Sequence, residues 1–242
     1  MRKTFHACCW LLCIHLLTAS TASAIEISDF IDFSLRSGGS TLLPGRLYIP
    51  PEATGNSLSP RPLIVFLHGG GDAGTDNLRQ LNRNIAGLAF EAERRGAFLY
   101  APQAPLNWRP KLITDRVMTM VDRALADYDV DLTRLYLSGY SSGGGGTWNM
   151  LSRYPNRFAA AVPVSPVSAE PDFIPANLAD QPIAIFHARD DSIAPVTTTR
   201  DIINRILTAA NRPVPTYPAA NAPDFAHSVA DLDLNYYEPA SG

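Results

Sequence analysis

The stretch that decides the fold is Leu135-Tyr136-Leu137-Ser138-Gly139-Tyr140-Ser141-Ser142-Gly143-Gly144. A short apolar run of strand character enters a G-x-S-x-G pentapeptide, and a helical pattern follows from near Gly146 through Tyr154. Strand, tight turn and helix in that order set Ser141 on a strained corner, with its hydroxyl lifted clear of the backbone and a helix N-terminus behind it that favours negative charge. Only small neighbours let the chain turn so sharply, which is why glycines stand two residues away on each side. Ser138 and Ser142 lack that spacing. A Gly-rich turn that merely packs closely is the bland alternative; the flanking strand and helix favour a nucleophile.

Outward from this turn, strands and helices alternate. Pro62 to Leu67, Ala97 to Ala101, Leu135 to Leu137, Ala159 to Val164 and Ile183 to Phe186 are apolar runs without polar alternation, as in strands buried on both faces. Between them lie helix-like segments at Asn77 to Arg95, Leu112 to Tyr128, Thr147 to Tyr154 and Asp201 to Ala210. The order predicts an α/β fold: a mostly parallel sheet with helices on both faces, and Ile25 to Phe33 and Gly45 to Ile49 as antiparallel edge strands. Pro50 to Pro62 reads as a surface loop, and Val214 to Tyr217 as the last strand-like segment. Catalytic residues of such sheets sit on loops at the carboxyl ends of the strands.

The first 24 residues stand apart. Arg2 and Lys3 precede an apolar run from Cys8 to Leu17, and Ala22-Ser23-Ala24 fits a signal-peptidase site. The apolar run is about ten residues where a membrane span needs about twenty. Residues 1–24 are therefore expected to be a cleaved leader, leaving 25–242 as one domain that is secreted or periplasmic, without a membrane anchor. All three cysteines leave with the leader, so the remaining chain has no disulfide. The loss of two basic residues and no acid takes the formal charge from -3 to -5. That balance excludes the broad basic surface that binds nucleic acid.

A serine hydroxyl needs a base, and the chain beyond the leader offers His68, His187 and His227. His68 and His187 each end a buried strand and read as loop-shaping residues. His227 lies in a polar loop after the last strand-like segment and completes the order Ser, Asp, His expected of this sheet type. The carboxylate that orients the base is Asp190 or Asp191, which spacing alone does not separate. Gly69-Gly70-Gly71, at the same sheet end, supplies one backbone N–H of an oxyanion hole, and Ser142 supplies the other. Three scattered histidines lack zinc-site spacing, and Gly143 to Gly146 lacks the lysine of a phosphate loop. No metal or cofactor is expected.

Leu63 to Asp72, Ala101-Pro102-Gln103 with Trp108, Arg134 to Gly144 and Arg153 to Ala160 together resemble the α/β-hydrolases. More narrowly they resemble the phospholipase/carboxylesterase and polyhydroxybutyrate-depolymerase-like esterases, including predicted-peptidase members, over about residues 60 to 200. The resemblance implies that the acid stands four residues after a strand-ending histidine and four before a proline. His187, Asp191 and Pro195 match, which implies Asp191. It also implies that Gly70, after the His-Gly pair, lends its N–H to the oxyanion. Two positions depart from the pattern: Ala226 replaces the usual glycine before the base, and the closing amphipathic helix is missing. Ser228 to Gly242 instead reads as acidic, aromatic and irregular, a divergent or incomplete C-terminal end that would leave one sheet face less covered.

The segment between Val164 and Ile183 has room for a loop but not a cap domain, so the expected site is open and suits polymeric esters, such as acylated polysaccharide or polyester, as well as small ones. Trp108 and Trp148 are candidates for an apolar substrate platform, and equally for core packing. The expectation is an exported serine carboxylesterase using Ser141, Asp191 and His227. The alternatives are a serine peptidase on the same residues and a catalytically silent relative that binds glycans or a protein. Mass analysis of exported protein should find Ile25 at its N-terminus, and a retained Met1 would contradict the leader.

Overall fold

The structure, a computed structural model, describes residues 25–53, 59–219, 224–229 and 234–238. Its strands are β1 (Phe30–Asp32), β2 (Leu35–Ser37), β3 (Ser40–Leu43), β4 (Gly45–Tyr48), β5 (Arg61–Leu67), β6 (Phe98–Pro102), β7 (Val130–Tyr140), β8 (Ala160–Val164), β9 (Ile183–Phe186), β10 (Phe225–Val229) and β11 (Leu234–Glu238). The helices are α1 (Ala86–Arg95), α2 (Lys111–Asp127), α3 (Ser142–Arg153) and α4 (Val196–Ala209). The main sheet has the order β1-β4-β6-β5-β7-β8-β9-β11-β10, and β2 and β3 form a separate hairpin. From β6 to β11 the neighbours run parallel, while the β1–β4, β4–β6 and β11–β10 pairs at the two ends are antiparallel. This is the predicted α/β sheet. Among the described residues no helix is long and apolar enough to cross a membrane.

The central strands are apolar because both faces are buried. On one side, Leu63, Val65, Leu67 and Leu137 pack with residues of α2, α3 and α4, including Met120, Met150 and Ile203, in the larger core. On the other, Ile64, Phe66 and Leu99 meet Ala89 and Ala92 of α1. That second layer stops short. Beyond α1, the face carrying Tyr136, Ala160, Val162 and Phe186 opens into a groove of about 950 Å³, and Phe186 is 45% exposed. Among the described residues no helix covers this part of the face.

Element boundaries moved for local reasons. Helix α1 starts later than the periodicity suggests because Asn77 has φ 58° and Asp76 accepts the N–H groups of Leu78 and Arg79, which turns the chain before it becomes helical. Helix α3 starts earlier, at Ser142, although glycine is a poor helix former. Side chains at 144–146 would run into Pro166, Val167 and Trp108, so tertiary packing overrides propensity there. Val214 to Tyr217 is not a strand; β11 takes the place beside β9 instead.

His68 and His187 tie the loops at the carboxyl end of the sheet together. Ala104 donates its N–H to His68 Nε2 at 3.0 Å, and Nδ1 lies 2.7 Å from the Gly69 carbonyl. His187 Nε2 lies 2.7 Å from the Ala194 carbonyl, and Nδ1 is 2.8 Å from the Thr199 hydroxyl. Each ring thus has one donor and one acceptor role, as a neutral imidazole does, and burial pushes both pKa values below 6.5. The unfolded chain therefore takes up protons below pH 6.5 that the folded chain refuses, and stability present above that pH is lost as the pH falls. Each histidine contributes a slope of up to about 1.4 kcal/mol per pH unit. Urea unfolding from pH 7.5 downward should show the midpoint dropping below about pH 6.5, and His68→Gln should reduce the slope.

Candidate active site

Ser141 adopts φ 54° and ψ -112°, outside the regular regions for an L-residue. Three backbone bonds hold it there. Its N–H donates to the Val164 carbonyl at 2.9 Å, and its own carbonyl accepts from Gly145 at 3.0 Å and Val167 at 3.2 Å. The flanking glycines are required by contact: a Cβ at Gly139 would lie 2.2 Å from the Gly143 carbonyl oxygen, and one at Gly143 would lie 1.8 Å from the Leu67 oxygen. The pentapeptide thus packs backbone closely and holds Ser141 at the strand-to-helix corner at once.

Ser142 opens α3, so its N–H has no acceptor within the helix. Gly70 lies beside it, where a Cβ would be 3.9 Å from Ser142 Cβ. Gly70 begins a single 3-10 turn, with Asp72 donating to the Gly69 carbonyl and Ala73 to the Gly70 carbonyl. The loop after β5 and the start of α3 therefore bring two N–H-bearing segments together next to Ser141.

Asp191 and Asp190 differ in their settings. Asp191 is half-buried at the carboxyl end of β9, and its Oδ1 accepts the N–H groups of Ala194 at 2.8 Å and Ile193 at 2.9 Å. Burial opposes ionisation of Asp191, but these two N–H bonds, the neighbouring His187 and a bond from the Ser165 side chain outweigh it and hold the pKa low. Asp190 is exposed. Ser165 also links the strands: it has φ 41° and donates its N–H to the Phe186 carbonyl at 2.8 Å. Sequence reasoning missed Ser165, whose only signal was its place at the carboxyl end of β8.

His227 is not brought to this cluster. It lies in the middle of β10 opposite Tyr236, on the outermost strand. Four inter-strand steps separate β10 from β7, or about 19 Å at about 4.8 Å per step. Its ring is parallel to Phe225 at 6.3 Å, and its buried Nε2 has no hydrogen-bond partner among the described residues. The cause is the placement of β11. Glu238 is fully buried, bonded to Arg189 Nε at 3.0 Å, Arg200 Nη2 at 2.6 Å and the Tyr236 hydroxyl at 2.6 Å. This network fixes β11 against β9 and carries the β10 edge outward.

The tryptophan platform is corrected as well. Trp108 is 1% and Trp148 0% exposed, and Trp108 spends its indole N–H on the His68 carbonyl at 2.9 Å. Both fill the core beneath α3 and neither offers a face to a substrate. Among the described residues no cluster of His, Cys, Asp and Glu could hold a metal ion.

Comparison with known proteins agrees with this architecture. The bifunctional acetylxylan esterase/xylanase XynS20E of Neocallimastix patriciarum is 29% identical over 163 residues, which is 65% of this chain and 21% of that protein. The chain thus spans about a fifth of that relative's length. A thermostable esterase of known structure superimposes with a TM-score of 0.71 at 28% identity, over 89% of this chain and 56% of the other. Acetyl xylan esterase from Aspergillus awamori shares the fold, with a TM-score of 0.60 at 16% identity over 82% of this chain and 87% of its own. Residues 101–234, more than half of the sequence, match the dienelactone hydrolase family, and the chain belongs to that family within the α/β-hydrolase fold.

Proposed function

We propose that this protein is an exported serine hydrolase that cleaves carboxylic esters through an acyl-enzyme. The observation that carries the reading is Ser141 at the strained strand-to-helix corner that opens α3, with Gly70 packed beside Ser142. Ser141 Oγ attacks the ester carbonyl carbon as His227 takes the hydroxyl proton. The N–H groups of Gly70 and Ser142 stabilise the oxyanion. Collapse breaks the bond to the alcohol, which leaves with the proton from His227. Water then attacks the acyl-serine through the same base, releasing the acid and restoring Ser141. Asp191 orients the imidazole and stabilises its charged form.

This mechanism requires the segment bearing His227 to leave the outer edge and reach across the carboxyl ends of β9 and β8. The uncapped connection from β8 to β9, with only a short 3-10 turn at Pro175–Leu178, leaves the site open to a polymer. Relatives named for acetylxylan favour an acylated polysaccharide as substrate.

The protein is expected to hydrolyse p-nitrophenyl acetate, release acetate from acetylated xylan and react with a fluorophosphonate. Ser141→Ala should lose at least about 10³-fold in kcat and all labelling, and an unchanged rate would end the proposal. His227→Ala should fall comparably, whereas a retained rate would assign the base elsewhere. Cleavage of amides alone would indicate a peptidase. The required movement has its own check: Ala184→Cys with Asn235→Cys joins paired residues of β9 and β11. The oxidised form should be inactive and recover on reduction; activity when oxidised would exclude the movement.

A further inference from the structure

Gln103, at the end of β6, is fully buried although it is a polar amide. Its side chain is spent entirely on the loop that carries Gly70. Asn77 donates its N–H to Gln103 Oε1 at 2.7 Å. Gln103 Nε2 donates to the Asp72 carbonyl at 3.2 Å and to Asp76 Oδ1 at 3.0 Å. Its backbone N–H donates to the Pro44 carbonyl at 2.8 Å, anchoring the residue itself to the β3–β4 connection.

Other supports brace the loop nearer Asn77: Arg46 Nε donates to the Asn77 carbonyl at 3.0 Å and Gln80 Nε2 to Asn77 Oδ1 at 2.7 Å. Gly74 donates to the Ala104 carbonyl at 3.0 Å, and the Asn77 side chain reaches Asp32, Ser34 and the Gly45 carbonyl. The Gly70 turn itself is closed by the bonds of Asp72 and Ala73 back to Gly69 and Gly70, and the Gly69 carbonyl also meets His68 Nδ1 at 2.7 Å. One buried amide thus binds the loop at Asp72, where the turn ends, and again at Asp76 and Asn77. A shift of the Asp72 carbonyl moves the Gly70 peptide relative to Ser142. Within the serine-hydrolase reading above, on which this inference rests, we propose that Gln103 is the positioning residue of the oxyanion hole. It acts through the Asp72–Asn77 loop to aim the Gly70 N–H and touches no substrate itself.

The chemistry allows a sharp substitution. In Gln103→Glu one carboxylate oxygen still accepts the Asn77 N–H, but the other faces the Asp72 carbonyl and the Asp76 carboxylate, acceptors with no proton to share. A second variant, Asp76→Ala, removes one of the amide's partners from the more exposed side of the loop. Ester hydrolysis would be measured per titrated active site, together with inhibition by phenylboronic acid, whose tetrahedral serine adduct needs the same N–H donors, and with thermal unfolding. Removing one such donor typically costs about 10² to 10³ in rate, so misaiming it in Gln103→Glu should lower kcat by about 10- to 100-fold with KM within about twofold. Boronate inhibition should weaken in proportion, and Asp76→Ala should show a smaller loss of the same kind. Folded variants with normal kcat, or a lower kcat with unchanged boronate affinity, would overturn the role. A wild-type protein that neither hydrolyses esters nor reacts with fluorophosphonate would instead overturn the serine-hydrolase reading beneath it.

Discussion

The whole active end hangs on the backbone of one residue. Ser141 sits at φ 54° and ψ -112°, a conformation that costs a side-chain-bearing residue roughly 1–3 kcal/mol and persists only where its surroundings over-determine it. The surroundings here are specific. Val164 takes the Ser141 N–H, Val167 and Gly145 bind its carbonyl, and Gly143 lies against the Leu67 carbonyl with no room for a methyl group. Relaxing the corner would require the ends of β5 and β8 to separate from α3, and the core beneath includes Leu67, Trp108 and Trp148. The strain at the serine is thus held by the packing of the central sheet.

The parts legible in the sequence were those set by local chemistry. Buried parallel strands announce themselves as unbroken apolar runs, and the serine corner announces itself through glycines at fixed offsets. The strand-ending histidines were readable as structural for the same reason: each stood between a buried strand and a loop needing backbone partners. Asp191 and Asp190 were not separable by spacing, because adjacent residues share a loop. In three dimensions they part, since one turns into the Ile193 and Ala194 N–H groups while the other faces solvent. The apolar periodicity extends helix α1 too far because it does not register Asn77 entering the left-handed region.

The C-terminal region was not legible, and the reason is competition between distant segments. Both Val214 to Tyr217 and Leu234 to Glu238 carry aromatic residues suited to a sheet, and nothing local says which lies beside β9. A glutamate ordinarily argues for an exposed position. Glu238 is buried only because Arg189 and Arg200, 49 and 38 residues away in the chain, converge on it. Breaking such a pair on one side leaves an uncompensated charge and costs about 3–5 kcal/mol, a cost that any departure of β11 from β9 has to meet. Because Arg189 lies two residues before Asp191, the same ion pairs also grip the acid-bearing loop.

The glycine run from 143 to 146 also limits how this scaffold can diversify. Its members abut, in turn, the Leu67 carbonyl, Pro166, Val167 and Trp108, so a mutation at one of them reaches a different structural neighbour from a mutation at the next. This stretch is in effect closed to evolutionary tinkering. Change is left to exposed positions such as Leu106, Ile174 and Ile193, which project into solvent and can vary without disturbing the serine corner.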